Sequence, residues 1–153
     1  MLKKVVLAPV PWVHLESMEK KPKLFERVAF GTSRLAVTDE YANLSIFIYG
    51  SGLDHTRHRS GVVTWTGFVD KIERAVQAGQ RSGQHPDKSL RPMTAEDGDT
   101  AFIRFLEVTN IQLLNPPLPL TRFTKEDGKG KPFTGPVPRW PVLAFLQDPP
   151  SLK

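Results

Sequence analysis

The stretch from Asp99 to Leu120 constrains what this chain can fold into more than any other part of it. Along an extended chain, Phe102, Arg104, Leu106 and Val108 fall on one side, and Ile103, Phe105, Glu107 and Thr109 on the other. Apolar residues dominate both sides, which is the pattern of a central strand covered on both faces. This strand runs directly into Asn115-Pro116-Pro117-Leu118-Pro119-Leu120, where the prolines exclude helix and keep the backbone extended. The remaining segments are expected to pack against it.

Those segments predict a mainly β chain. Val5–Val10, between and around Pro9 and Pro11, reads as a short strand near a sheet edge, and Trp12 to Leu15 as an exposed turn or strand end. Val28–Gly31, Leu35–Thr38, Ser45–Tyr49 and Val142–Leu146 are further β-prone pieces, while Asp39–Leu44 suits one helical turn or a tight loop. Val62 to Ile72 reads as a long strand in which Gly67 marks a bulge or a close backbone approach; a helix over residues 68–78 is the competing reading. Gly79 to Gly98 is a long loop, and Phe123 is the expected anchor after the proline arm. Five or six strands with little helix predict an open or closed barrel-like sheet in one domain spanning residues 1–153.

Composition narrows the chemistry. There is no cysteine, so disulfide partners and thiolate catalysis are excluded. Four histidines leave little material for zinc, and no metal or cofactor is expected. No run of about 18 apolar residues is present, so no membrane helix is expected; the apolar start ends too early, at Pro9, for a signal peptide, and a cytoplasmic location follows. The formal net charge of +5 is compatible with a nucleic-acid partner, and equally with a chain that has no polyanionic partner. Prolines number 14, about twice the usual share, which favours fixed turns over long helices.

Short motifs carry weak signals. Gly50-Ser51-Gly52 lacks the spacing of a serine nucleophile elbow and reads as a turn whose glycines let a ligand approach. His55 and His58 stand among Arg57 and Arg59, whose charge disfavours a metal; a solvated loop is the first reading and phosphate contact the second. Gly128 to Lys131 is followed by Pro132, which blocks the helix a phosphate-binding loop requires. Paired carboxylates occur at Glu96, Asp97 and Asp99. Glu107, inside the most apolar strand, is expected to pair with an arginine or lysine at the strand end; a raised-pKa general base is the alternative. Trp12, His14, Tyr49, Trp65, Arg91, Arg139 and Trp140 fall at strand ends or in adjacent loops, which is where bases can be stacked and their edges read.

The order and texture of Val62–Asp70, His85-Pro86-Asp87, Arg91-Pro92, Phe105–Val108, Leu113–Leu120 and Pro138-Arg139-Trp140-Pro141 resemble the PUA-like superfamily, with the EVE and ASCH-related branches nearest. The resemblance implies an α+β, mainly β, mixed-sheet PUA-like barrel with a few short helices and long proline-rich loops. It implies a concave cup that binds a nucleotide or a modified base in RNA or DNA, lined by Trp12, Ser33, Tyr49, Ser51, Arg91 and Trp140. Basic residues around that cup, Arg57, Arg59 and Arg139, would meet phosphates. The G-x-K-x-x-E-x-R signature of ASCH domains is absent, so amidohydrolase activity does not carry over. Two other functions stay open: a small-substrate hydrolase with Glu107 or His14 as general base, and a protein-interaction module.

Overall fold

The computed structural model describes residues 1–20, 27–32, 36–51, 62–74, 104–125, 130–133 and 138–150. Its elements in chain order are β1 (Leu2–Pro11), α1 (Trp12–Lys20), β2 (Arg27–Thr32), β3 (Ser45–Ser51), β4 (Val62–Arg74), β5 (Arg104–Pro119), β6 (Phe123–Thr124) and β7 (Val142–Gln147), with 3-10 turns at Asp39–Tyr41 and Leu120–Arg122. The strands form one seven-stranded sheet in the order β2-β5-β4-β3-β1-β7-β6. β1 and β3 run parallel and every other neighbouring pair is antiparallel, so the sheet is mixed. The chain is mainly β, as the sequence predicts.

Both faces of the sheet are buried because its central strands are apolar on both sides. On one face Val6, Ala8, Ile46, Ile48, Trp65, Val69, Leu106 and Val108 pack with Leu15 and Met18 of α1 and with Tyr41. On the other, Val5, Leu7, Phe47, Tyr49 and Val63 pack with Leu118, Leu120, Phe123 and Phe133. The proline arm therefore belongs to the structure twice over. Its backbone extends β5 beside β4, with Val63 level with Leu118, and its apolar side chains cover the second face. Phe123 ends that path as the sequence predicts: it is fully buried, with its ring edge-on to Phe47 at 5.5 Å.

Gly67 is a close-approach position. The pairing of β4 with β5 shifts register between Thr66 and Phe68, and a Cβ at Gly67 would lie 2.7 Å from Val108 Cγ1 and 3.0 Å from the Thr109 carbonyl oxygen. Only glycine leaves that space open. The strand reading of this segment also holds, since β4 runs on to Arg74.

Several expectations need correction. Trp12 to Leu15 are not an exposed turn or strand end but the start of helix α1; Leu15 and Met18, three residues apart, turn into the core and hold it there. β1 is not near an edge but lies between β3 and β7. Its prolines fit because the β7 ladder stops at Leu7–Val142, so Pro9 and Pro11 lie beyond it, where one side of β1 needs no donor. Ala36–Thr38 belongs to no strand, with Val37 buried and Thr38 capping the 3-10 turn that follows. Seven strands, not five or six, are present among the described residues.

A candidate ligand platform at one end of the sheet

Three segments meet at the carboxyl ends of the parallel pair β1 and β3. Pro11 is paired with Ser51, and the next residue, Trp12, opens α1. β3 ends at the same level with Tyr49, Gly50 and Ser51. β7 comes from the opposite direction. Val142 is level with Leu7, and Leu7 with Phe47, so residues 138–141 lie towards the Tyr49 end. This segment is Pro138-Arg139-Trp140-Pro141.

The strap is held from two sides. The Tyr49 hydroxyl donates to the carbonyl oxygen of Pro138 at 2.5 Å, and the Tyr41 hydroxyl to that of Pro141 at 3.4 Å. Tyr49 belongs to the core on one face of the sheet and Tyr41 to the core on the other. Between the two tethered prolines, Arg139 is exposed and Trp140 keeps 39% of its surface in solvent. Trp140 is one of only three large hydrophobic residues exposed among the described residues. An indole held against solvent beside a guanidinium offers a planar surface for stacking and a forked donor for an anion.

Of the residues expected to line a cup, the backbones of Trp12, Tyr49, Ser51 and Trp140 come together at this end. Ser33 and Arg91 lie outside the described residues, as do Arg57 and Arg59; Arg139 sits in the strap itself. Tyr49 supports from behind rather than lining a surface, because it is fully buried. Its phenol is protonated at neutral pH, as any tyrosine is, and burial moves its pKa further up. Trp65 is no strand-end aromatic: it lies within β4, level with Ile48 and Leu113, and is buried in the core. Tyr41 was not singled out from the sequence. Its signal was there only as an aromatic with a polar end in an otherwise short polar turn.

The two candidate general bases fall elsewhere or differently. Glu107 is 4% exposed, and its Oε1 accepts from Arg27 Nη2 at 3.0 Å while Lys71 Nζ stands 3.9 Å from Oε2. Arg27 also reaches Asp70 Oδ2 at 3.1 Å, and Lys71 reaches Glu73 at 2.9 Å. This is the paired carboxylate that the sequence favoured. Lys71 lies beyond the Ser45–Phe68 pair that begins β3, so the network sits at the opposite end of the sheet from Tyr49. A hydrolase built on the platform would not have Glu107 to use.

His14 lies on α1 and is partly buried, and desolvation lowers its imidazole pKa to about 4. It is therefore neutral at pH 7. The lowered value means that the folded state binds fewer protons than the unfolded state between pH 4 and the ordinary 6.5. Stability should accordingly fall as pH drops through that window, by about 1–2 kcal/mol after allowance for the group's partial exposure. Urea unfolding at a series of pH values should show His14→Gln with a flatter loss over this range than the unaltered protein. Identical profiles would mean that His14 contributes nothing to the acid limb.

Among the described residues no group of three His, Asp or Glu side chains is arranged to hold a metal ion. No helix among them is long and apolar enough to cross a membrane. His55–Arg59 and Gly79–Gly98, where loops are expected, lie outside the described residues, as do Gly128 and Lys129. Compared with protein-family models the chain has no match, and compared with curated proteins it has none either.

Proposed function

We propose that this chain is a nucleic-acid-binding module that takes a base or nucleotide of RNA or DNA, a modified base above all, on the Arg139–Trp140 strap. The observation that carries the reading is the strap itself: Trp140, with 39% of its surface in solvent, and the exposed Arg139 next to it in the chain, between two prolines whose carbonyls are tied to buried tyrosines. Stacking on an exposed aromatic is available to any base and is worth about 1–3 kcal/mol per base. Arg139 beside it suits a phosphate oxygen, and the net charge of +5 favours a polyanionic ligand. In this reading the sheet is a PUA-like barrel, which is supported by a single core that draws on β2 at one end of the strand order and on Leu143 of β7 near the other.

Titrating the full chain with single-stranded oligonucleotides, modified and unmodified, at two salt concentrations tests the proposal. Binding is expected at low salt. It should weaken as salt rises, with a log–log slope of about −0.7 for each phosphate neutralised. Modified strands should bind more tightly than unmodified ones. No binding of either class at low salt would overturn the reading.

A further inference from the structure

We infer that Tyr49 and Tyr41 are positioning residues for the strap, two buried hydroxyls that hold Arg139 and Trp140 in their ligand-ready arrangement. This rests on the reading of the strap as the ligand platform. The two ends of the strap are prolines. Pro138 and Pro141 have no N–H to donate, so their backbone contributes carbonyls alone. Each of those carbonyls is met by a tyrosine hydroxyl, and the two tyrosines are 89 and 100 residues away in the chain from the prolines they hold. One tether would hold only one end of the four-residue segment by a tyrosine. Two, three residues apart and rooted in the cores on opposite faces of the sheet, set the direction in which the intervening side chains point.

The two tethers are unequal. At 2.5 Å the Tyr49 bond is at the short end of the usual range for O–H···O, whereas the 3.4 Å Tyr41 contact lies beyond it and is the weaker. Tyr49 is therefore the principal brace. A platform held this way pays less ordering entropy when a ligand arrives, which is how preorganisation raises affinity without adding a contact. A tyrosine hydroxyl is protonated near neutrality, and burial raises the Tyr49 pKa further, so the brace does not switch off with modest changes of pH.

The test uses Tyr49→Phe and Tyr41→Phe in the full chain, each of which removes one hydroxyl and keeps the ring in its core. With 5-fluorotryptophan incorporated, the fluorine resonance of Trp140, assigned by its loss in Trp140→Phe, reports the strap without any ligand. The resonance should move towards the free amino acid and sharpen in Tyr49→Phe, and do so less in Tyr41→Phe. Affinity for a single-stranded oligonucleotide should fall about threefold to tenfold in Tyr49→Phe. In a Trp140→Ala background the same substitution should change affinity by less than about twofold, a coupling that a general loss of stability would not produce. An unchanged Trp140 resonance in both variants overturns the brace, and so does an affinity loss that persists in full without Trp140. Failure of the unaltered protein to bind any oligonucleotide would instead overturn the platform reading, while the resonance would still decide whether the hydroxyls hold the strap.

Discussion

Phe123→Ala is expected to lower stability by about 3–5 kcal/mol, a large part of the roughly 5–15 kcal/mol that holds a domain of this size together. The ring is fully buried, packs edge-on against Phe47 at 5.5 Å, and closes the core beneath the proline arm. Truncation removes the transfer free energy of the ring and leaves a cavity that its neighbours cannot collapse to fill. Those neighbours are anchored: Phe47 lies in a central strand, Leu118 in the paired end of β5, and Leu146 in β7 level with Phe123 itself. Backbone ties add to the position, since Phe123 also accepts a hydrogen bond from the Phe133 N–H at 3.0 Å. Urea unfolding should show the loss as a lower midpoint with little change in slope. Phe123→Leu, which refills part of the space, should lose distinctly less. A loss below about 1 kcal/mol for the alanine variant would mean that the arm is not anchored there. Because Tyr49 belongs to the same core, the alanine variant should also loosen the strap.

Local patterns carried much of this architecture. The two-faced burial of β5 could be read from its unbroken apolar character, the close approach at Gly67 from a glycine inside a β-branched run, and the last strand from Val142–Leu146. Helix α1 is not legible in the sequence because Leu15 and Met18, which pack into the core, stand among Glu16, Glu19 and Lys20, which leave too narrow an apolar stripe to show a helical period. The central place of β1 was hidden for a different reason. Prolines argue for an edge unless the neighbouring strand is known to stop short, and that depends on where β7 begins, more than 130 residues later. The strap was legible only in part. Pro138-Arg139-Trp140-Pro141 announces stiffness, but nothing local to Tyr41 or Tyr49 tells which carbonyl each will meet, since those contacts exist only once the sheet has formed. Glu107 shows the same split: its need for a cation was evident from its setting, whereas Arg27 as the partner follows from the pairing of β2 with β5.

Trp140→Ala should weaken oligonucleotide binding by about tenfold to a hundredfold, the effect of losing one stacked base. Its effect on stability should be clearly smaller than the roughly 3–5 kcal/mol of losing a fully buried aromatic, because 39% of the residue already faces solvent. This combination separates a platform from a structural residue: a core tryptophan loses stability first, and binding only in consequence. The salt dependence sharpens the distinction. Removing an uncharged ring neutralises no fewer phosphates, so the log–log slope should be unchanged in Trp140→Ala. Arg139→Gln should do the reverse, making the slope shallower by about 0.7 while costing less affinity at low salt than the loss of the ring. The two neighbours would then divide the work, with the indole taking the base whatever the salt and the guanidinium taking a phosphate in competition with it. If Trp140→Ala bound as tightly as the unaltered protein, the strap would be a covalent connection into β7 and no more, and the ligand would have to be sought at another part of the surface.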